Sequence, residues 1–112
     1  MPARLCYVEL PAAATAPMKE FYSKAFGLEM TDFGPTYAST MSGDVDFGVQ
    51  ADRAEATRAP LPVIRVEKLE DALAAVTRAG GKVVRPIFSF PGGRRFQFTD
   101  PAGNEMAAMQ VE

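Results

Sequence analysis

The chain has 112 residues, of which 47% are hydrophobic and 23% are charged, and its formal net charge is -2. This length accommodates one compact domain that buries about 65% of its unfolded surface, and it leaves no room for a second domain. A charge this small gives no field that attracts nucleic acid, so we exclude DNA and RNA as partners. The longest apolar run, Leu10 to Ala14, is too short to cross a bilayer, and the N-terminus lacks the features of a signal peptide.

Cysteine usage indicates the cellular compartment. Cys6 is the only cysteine, so no intrachain disulfide can form, as is usual for proteins of a reducing compartment. We therefore expect a cytoplasmic protein that has no membrane partner. The neighbours Leu5, Tyr7 and Val8 predict that Cys6 is a buried strand thiol rather than a catalytic one.

The first half of the chain predicts the element order β-α-β-β-β. Residues 4–10 have strand composition and end at Pro11. Thr15 is a plausible helix N-cap, and apolar side chains then recur at helical spacing as far as Phe26, which predicts a helix with one buried face. Gly27 can close this helix in the left-handed conformation. Short strands are predicted to follow over residues 28–33, 36–41 and 45–50.

The second half predicts the same order. Residues 51–60 are polar and Ala-rich and precede a Pro-containing segment, so they are interpreted as a linker between module 1 (residues 1–50) and module 2 (residues 61–112). A helical stripe from Leu69 to Val76 ends before Gly80-Gly81. Strands are predicted at residues 61–66, 82–87, 95–99 and 105–110, with turns at residues 91–93 and 100–104.

An offset of 54 residues aligns the two halves, so that Tyr7 falls on Leu61 and Gly27 falls on Gly81. A lone β-α-β-β-β unit leaves one sheet face and two strand edges uncovered, and two copies packed together solve this problem. We therefore predict an α+β fold over residues 1–112, in which two β-α-β-β-β modules form curled mixed sheets around a cleft.

Four segments carry a resemblance to a known family: Val8 to Pro11, Phe21 to Leu28, Ala79 to Val84, and Phe98 to Asn104 with its Asp-Pro-Ala-Gly-Asn turn. With them the chain resembles the vicinal oxygen chelate superfamily, which contains glyoxalase I, bleomycin resistance proteins and extradiol dioxygenases. The resemblance covers nearly the whole chain. It implies a homodimer and a small organic molecule as the partner.

Metal-using members of this superfamily hold a divalent ion with four converging side chains, commonly His and Glu. The resemblance places these positions at Tyr7, Leu61, Ala107 and one residue within 47–50, where only Gln50 offers an oxygen. The chain contains no histidine. Leu and Ala cannot bind a metal, and a phenol with a pKa of about 10 is a poor ligand at neutral pH. We therefore predict no metal ligands, no catalytic residues and no cofactor.

The cleft that the resemblance implies would be mostly apolar with a few polar groups near its ends, a composition typical of small-molecule sites. The same composition is equally typical of a hydrophobic core that is filled by side chains. Phe88 and Phe90, beside the flexible Pro91-Gly92-Gly93 segment, are interpreted as a lip that can close on a ligand. Only one of the two adjacent residues Arg94 and Arg95 can serve a ligand, since neighbours on a strand face opposite sides. The candidate ligand-binding residues are Tyr7, Glu9, Phe47, Gln50, Arg65, Phe90 and Glu105.

Three hypotheses remain open at this level. The first is a binding protein that holds a small organic molecule in a metal-free cleft, with no enzymatic activity. The second is a lyase or isomerase like glyoxalase I with an unconventional oxygen-ligand metal site, for which Glu9 and Glu105 are the available carboxylates. The third is a structural module whose cleft is filled by side chains. A His-dependent metalloenzyme is excluded by composition.

Overall fold

A computed structural model describes residues 2–112, which form two helices and eight strands in the order β-α-β-β-β, twice. The α+β fold of two such modules is therefore confirmed. The elements are β1 (Ala3–Pro11), α1 (Thr15–Phe26), β2 (Thr31–Asp32), β3 (Tyr37–Ser39), β4 (Asp46–Gln50), β5 (Leu61–Val66), α2 (Leu69–Arg78), β6 (Lys82–Phe90), β7 (Gly93–Thr99) and β8 (Glu105–Val111). Neither helix is long and apolar enough to cross a membrane, within the part of the chain that the structure describes.

Residues 7–61 form one compact unit with the strand order β2-β3-β4-β1. The end of β1 runs parallel to β4, and the other pairs are antiparallel. Helix α1 packs on one face of this sheet, where the ring of Tyr22 meets the ring of Phe47 with centroids 4.8 Å apart. Because side chains alternate along a strand, Tyr7, Glu9, Gly48 and Gln50 lie on the opposite face.

Helix α1 differs in two ways from its prediction. The N-cap is Ala14, which offers no side-chain hydrogen bond, and Thr15 is already the first helical residue. No residue of α1 is buried, and Phe21 and Phe26 are 56% and 68% exposed. The prediction of a buried face was therefore wrong. The C-terminus is as predicted, because Gly27 has a φ of 70° and donates its N–H to the carbonyl of Ser23.

Residues 2–6 and 62–112 form the second compact unit, in which the start of β1 is followed by the strand order β5-β8-β7-β6. Helix α2 covers one face of these strands. The core there consists of Val66, Leu69, Ala72, Phe96 and Ala108. The side-chain oxygen of Gln110 accepts the N–H of Leu69 at 2.8 Å and so caps the start of α2 from the sheet.

The hairpin between β6 and β7 is longer than predicted. Phe88, Ser89 and Phe90 pair in register with Arg95, Arg94 and Gly93, so the segment interpreted as a lip belongs to regular strand. Only Pro91 and Gly92 form the turn, and the φ of 103° at Gly92 suits the second central position of a type II turn. The last hairpin closes as the sequence predicts, since the carboxylate of Asp100 accepts the N–H groups of Ala102 and Asn104, both at 2.9 Å.

Cys6 is half-buried, and its thiol donates to the carbonyl of Val63 at 3.6 Å. Burial raises the pKa of this thiol, and the nearby cations Arg4 and Arg65 oppose the shift only in part. A thiol held in its neutral form is a poor nucleophile. The structural role predicted for Cys6 is consistent with this environment.

Candidate functional site

A row of polar side chains lies on the face of the first unit that α1 leaves uncovered. The hydroxyl oxygens of Tyr7 and Tyr37 are 2.5 Å apart. Tyr7 also donates to the Ser39 hydroxyl at 2.9 Å, and Tyr37 donates to the carboxylate of Glu9 at 3.3 Å. Glu9 and Ser39 are only 4% and 5% exposed. A carboxylate this deeply buried requires partners, and the tyrosine hydroxyl of Tyr37 is one of them.

The strand register explains why these residues meet. Glu9 on β1 pairs with Gly48 on β4, and Gly48 pairs with Ser39 on β3. Tyr37 lies two residues before Ser39 and therefore projects from the same face. Tyr7 and Glu9 of β1 and Tyr37 and Ser39 of β3 are thus brought together by alternation and strand register, with Gly48 of the intervening strand β4 in their midst.

The hydroxyl groups can share their hydrogens in two ways, because each has one hydrogen to donate. If Tyr37 donates to Glu9, Tyr7 can donate to Tyr37. If Tyr37 donates to Tyr7, Tyr7 donates to Ser39, whose hydroxyl in turn donates to the carbonyl of Thr40 at 2.9 Å. The row can therefore adjust to a bound group that accepts or donates a hydrogen bond. Burial raises the pKa of Tyr7 and outweighs the hydrogen bonds from Ser39 and Tyr37 that lower it, so this phenol stays neutral at physiological pH.

Gly48 provides the space for the two tyrosine hydroxyls. A Cβ atom built on Gly48 would overlap the hydroxyl oxygen of Tyr7 and lie 2.6 Å from that of Tyr37. Neither distance is compatible with a real side chain. The hydrogen bond between Tyr7 and Tyr37 therefore depends on the absence of a side chain at position 48.

A second open face belongs to the other unit, on the side of its strands opposite α2. Gln97, which is 4% exposed, donates from its side-chain nitrogen to the carboxylate of Glu105 at 2.7 Å. Its side-chain oxygen accepts a hydrogen bond from Arg95 at 3.4 Å. The guanidinium carbon of Arg95 lies 5.2 Å from the ring centroid of Phe88 and 5.9 Å from that of Phe90.

The predicted site residues fall on these two faces with one exception. Tyr7, Glu9 and Gln50 share the open face of the first unit, and Gln50 uses its side-chain oxygen to accept the N–H of Asp52 at 2.9 Å. Phe47 lies on the other side of that sheet, where it packs against Tyr22. It is not brought together with the others, because residue 47 is one position out of phase with Gly48 and Gln50.

The remaining predicted residues, Arg65, Phe90 and Glu105, lie on the open face of the second unit. Arg65 is exposed and pairs in register with Met109, which pairs in turn with Arg95. Arg94, the neighbour of Arg95, points to the α2 side and bonds the carboxylates of Glu70 at 2.6 Å and Glu112 at 3.1 Å. The two arginines thus lie on opposite sides of β7, and Arg95 is the one that shares a face with Arg65 and Glu105.

The sequence interpretation missed Tyr37, Ser39, Gln97 and Arg85. A signal was present for the first two, since they alternate with Ala38 and Thr40 in a segment already predicted as a strand. Their proximity to Tyr7 depends on the pairing of β3 with β4, which alternation within one strand cannot give. Arg85 lies with its guanidinium carbon 3.6 Å from the centroid of the Phe88 ring because the pairing of β6 is irregular on both sides of Arg85. Pro86, the next residue, was an available signal, since proline within a strand is confined to edges and bulges.

The divalent metal that the resemblance implies does not fit these residues. Of residues 47–50, Gly48 is the structural counterpart of Ala107, because Gly48 pairs with Glu9 as Ala107 pairs with Val63. The four positions are then Tyr7, Gly48, Leu61 and Ala107, and only the buried neutral phenol of Tyr7 carries an oxygen. Within residues 2–112 no group of three or more Cys, Asp and Glu side chains could hold a metal ion. No chemical step is therefore derived through a metal.

The comparison with known families agrees with this fold. The sequence profile of the Glyoxalase/Bleomycin resistance protein/Dioxygenase superfamily matches residues 4–107, and the chain belongs to this superfamily. A search of curated proteins finds no match.

Solved structures show the same fold at low sequence identity. The chain is similar to a hypothetical protein from Bacillus halodurans C-125, with 12% identity, coverage of 100% of this chain and 96% of that chain, and a TM-score of 0.81. It is similar to methylmalonyl-CoA epimerase from Mycobacterium tuberculosis, with 14% identity, coverage of 96% and 87%, and a TM-score of 0.74. It is also similar to the Mn(II)-bound glyoxalase from Novosphingobium aromaticivorans, with 22% identity, coverage of 97% of this chain but only 40% of that chain, and a TM-score of 0.70.

Proposed function

We propose that this protein is a metal-independent member of its superfamily that binds a small organic molecule on a sheet face that its helices leave uncovered. The observation that carries the proposal is the arrangement at Gly48. The tyrosine hydroxyls occupy the space where a side chain at this position would begin. The hydrogen-bonded row of Glu9, Tyr37, Tyr7 and Ser39 includes Tyr7 and surrounds Gly48, two of the four positions at which the superfamily resemblance implies metal ligands.

The composition of the two faces supports a binding role. Each face by itself has both kinds of group: the first carries hydroxyl and carboxylate groups beside the ring carbons of its tyrosines, and the second carries Phe88, Phe90 and Met109 beside Arg95. Small-molecule sites combine apolar walls with a few placed polar groups in this way. The structural hypothesis, a cleft filled by side chains, predicts no saturable binding and is tested by the same experiment.

The metal-dependent lyase or isomerase is less well supported. It would rely on the carboxylates of Glu9 and Glu105. Each already accepts a hydrogen bond, from Tyr37 at 3.3 Å and from Gln97 at 2.7 Å respectively. Replacing these bonds by metal coordination would leave the amide of the buried Gln97 without its acceptor, which is costly.

We further propose that the protein is a cytoplasmic homodimer. Phe21 and Phe26 on α1, together with Leu28 and Phe33 just beyond it, are all exposed large hydrophobic residues. Exposed apolar side chains concentrated in one segment commonly mark an interface, and a second copy of the chain is the partner that the superfamily resemblance implies. The cytoplasmic location is inferred from composition, since Cys6 is the only cysteine and no intrachain disulfide can form.

Native mass spectrometry of protein purified without chelators or metal-affinity steps tests these proposals together. We expect a dimer mass with no metal and with an organic adduct, or with an added ligand that saturates at one equivalent per chain. Stoichiometric metal in the untreated protein would contradict the proposal and support the lyase or isomerase. A protein that binds none of a broad panel of small molecules would favour the structural hypothesis.

A further inference from the structure

The hydroxyl group of Tyr7 lies within hydrogen-bond distance of two oxygens and has a single hydrogen to donate. Those oxygens belong to Tyr37, at 2.5 Å, and to Ser39, at 2.9 Å. Burial raises the pKa of Tyr7, so the phenol keeps its hydrogen at neutral pH. Whichever of the two neighbours receives this hydrogen, it is used in a bond within the protein.

The hydrogen of Ser39 is used within the protein as well. Its hydroxyl donates to the carbonyl of Thr40 at 2.9 Å, with the carbonyl of Phe47 at 3.4 Å as a longer alternative. Ser39 is 5% exposed, so its oxygen depends on protein partners. A buried polar group that loses its hydrogen bond is costly. Turning the hydrogen of Tyr7 towards a ligand would therefore break a bond to Ser39 or to Tyr37.

The lone pairs of the Tyr7 oxygen differ from its hydrogen, because the row does not use them all. A hydroxyl oxygen can accept two hydrogen bonds. If Tyr37 donates to Tyr7, one lone pair is used, and if Tyr7 donates to Tyr37, neither is used. Within the described residues 2–112, at least one lone pair of Tyr7 thus remains for another donor. Tyr7 is only partly buried and lies on the face that α1 leaves uncovered.

We propose that Tyr7 accepts a hydrogen bond from the ligand, and that the protein therefore selects an organic molecule with an N–H or O–H group. The inference rests on the proposed function and names the class of ligand. A donor group adds a hydrogen bond to the row and breaks none. A group that only accepts, such as an ether or a ketone, gains a bond from Tyr7 only when the bond to Tyr37 or Ser39 is lost.

The test uses three bicyclic probes of nearly the same shape: indole, benzofuran and indene. Indole carries an N–H donor, benzofuran carries an oxygen that can only accept, and indene carries neither. Each is titrated into ¹⁵N-labelled protein, and the amide resonance of Gly48 reports binding beside the Tyr7 hydroxyl. We expect indole to bind about threefold or more tightly than the other two probes, since one additional hydrogen bond is worth a few-fold in affinity.

The possible outcomes separate this inference from the proposed function. Benzofuran or indene binding beside Gly48 as tightly as indole would overturn the inference and leave the proposed function standing. If none of the three probes shifts the Gly48 resonance, the inference is contradicted. The organic adduct sought by native mass spectrometry then decides the proposed function separately.

Two tyrosine variants test the role of the Tyr7 oxygen. Tyr7→Phe keeps the ring and removes the acceptor, so the affinity for indole should fall to that for indene, which should itself be unchanged. Tyr22→Phe removes a hydroxyl from the other side of the sheet, where the ring packs against Phe47, and should leave all three affinities unchanged. A preference for indole that survives in Tyr7→Phe would overturn the inference. The comparison of the three probes needs only the wild type, so it tests the inference even if Tyr7→Phe does not fold.

Discussion

The hydroxyl group of Tyr7 occupies the space into which a side chain at Gly48 would extend. The two residues lie on adjacent parallel strands, β1 and β4, and their side-chain directions converge on the face opposite α1. A tyrosine at position 7 with its hydroxyl in this place is compatible only with glycine at position 48. This relationship is local to one unit of the fold, and it can be tested by substitution at either residue.

Gly48→Ala should destabilise the protein. The backbone of Gly48 does not adopt a positive φ, so alanine brings no backbone strain, and its methyl group must displace Tyr7, Tyr37 or the strand itself. Overpacking of a buried site commonly costs about 1–3 kcal/mol. Chemical denaturation measures the change. Tyr7→Phe/Gly48→Ala removes the overlapping oxygen and should recover part of the loss, whereas strictly additive effects of the two substitutions would contradict the proposed overlap.

The ionisation of Tyr7 gives a prediction about alkaline pH. Burial raises the pKa of this phenol above its usual value of about 10. The folded state therefore holds the proton more tightly than the unfolded state, so the contribution to stability is complete below pH 10 and is lost as the pH rises further. We expect the free energy of unfolding to fall as the pH rises past about 10, and to fall less steeply in Tyr7→Phe.

An ultraviolet titration provides an independent measurement of the same group. Part of the tyrosinate absorption should develop above about pH 10 as a late stage, and this late stage should be missing in Tyr7→Phe. Tyr22→Phe serves as the matched control, because Tyr22 packs against Phe47 on the other side of the sheet. A wild-type curve whose late stage survives in Tyr7→Phe would contradict the assignment.

Much of the fold could be predicted because its signals are local. The end of α1 at Gly27 depends on one residue with a left-handed φ, and the last turn depends on hydrogen bonds within residues 100–104. The buried face of α1 could not be predicted correctly. Helical spacing shows which side chains share a face but does not show whether anything covers that face. In this structure Phe21 and Phe26 remain exposed.

The site was predictable only in part, for a physical reason. Alternation placed Tyr7 and Glu9 on one face of β1 correctly, because the period of a strand is two residues. The partners Tyr37 and Ser39 come from β3, and their position depends on a register set through β4. Arg85 reaches Phe88 only because the pairing of β6 is irregular. Regular alternation would place the side chains of Arg85 and Phe88 on opposite faces of the strand. Contacts that depend on long-range register are not encoded in local spacing.

Asp46 gives a prediction about acid stability. Partial burial raises the pKa of its carboxyl, but hydrogen bonds from the Thr40 hydroxyl at 2.6 Å and from the N–H groups of Ser42 and Gly43 prevail and lower it. The carboxylate of Asp46 therefore stabilises the fold at pH values above its usual pKa of about 3.9. This contribution is lost as the pH falls through the lower pKa that the carboxyl has in the folded state. Asp46→Asn should therefore be less stable than the wild type at neutral pH.

Acid denaturation checks this expectation. The difference in stability between the wild type and Asp46→Asn should shrink as the pH falls from about 5 to about 2. Asp44→Asn removes the same charge from the same loop and leaves the three hydrogen bonds to Asp46 in place, so it should keep the wild-type pH dependence. If the difference in stability between the wild type and Asp46→Asn is the same at every pH, ionisation of the Asp46 carboxyl does not contribute to the pH dependence of stability.

The exposed side of α1 gives the final prediction. If two copies of the chain associate through it, Phe26→Asp should raise the dimer dissociation constant at least tenfold, because burial of a phenylalanine is worth roughly 1.5–3 kcal/mol and a buried charge adds a further cost. Sedimentation equilibrium measures the change. Val84→Asp makes the same kind of substitution at a residue of the other unit that is 46% exposed, and should leave the dimer intact. A dimer that Phe26→Asp does not weaken would place the interface elsewhere, and a wild-type monomer at all concentrations would contradict the proposed assembly.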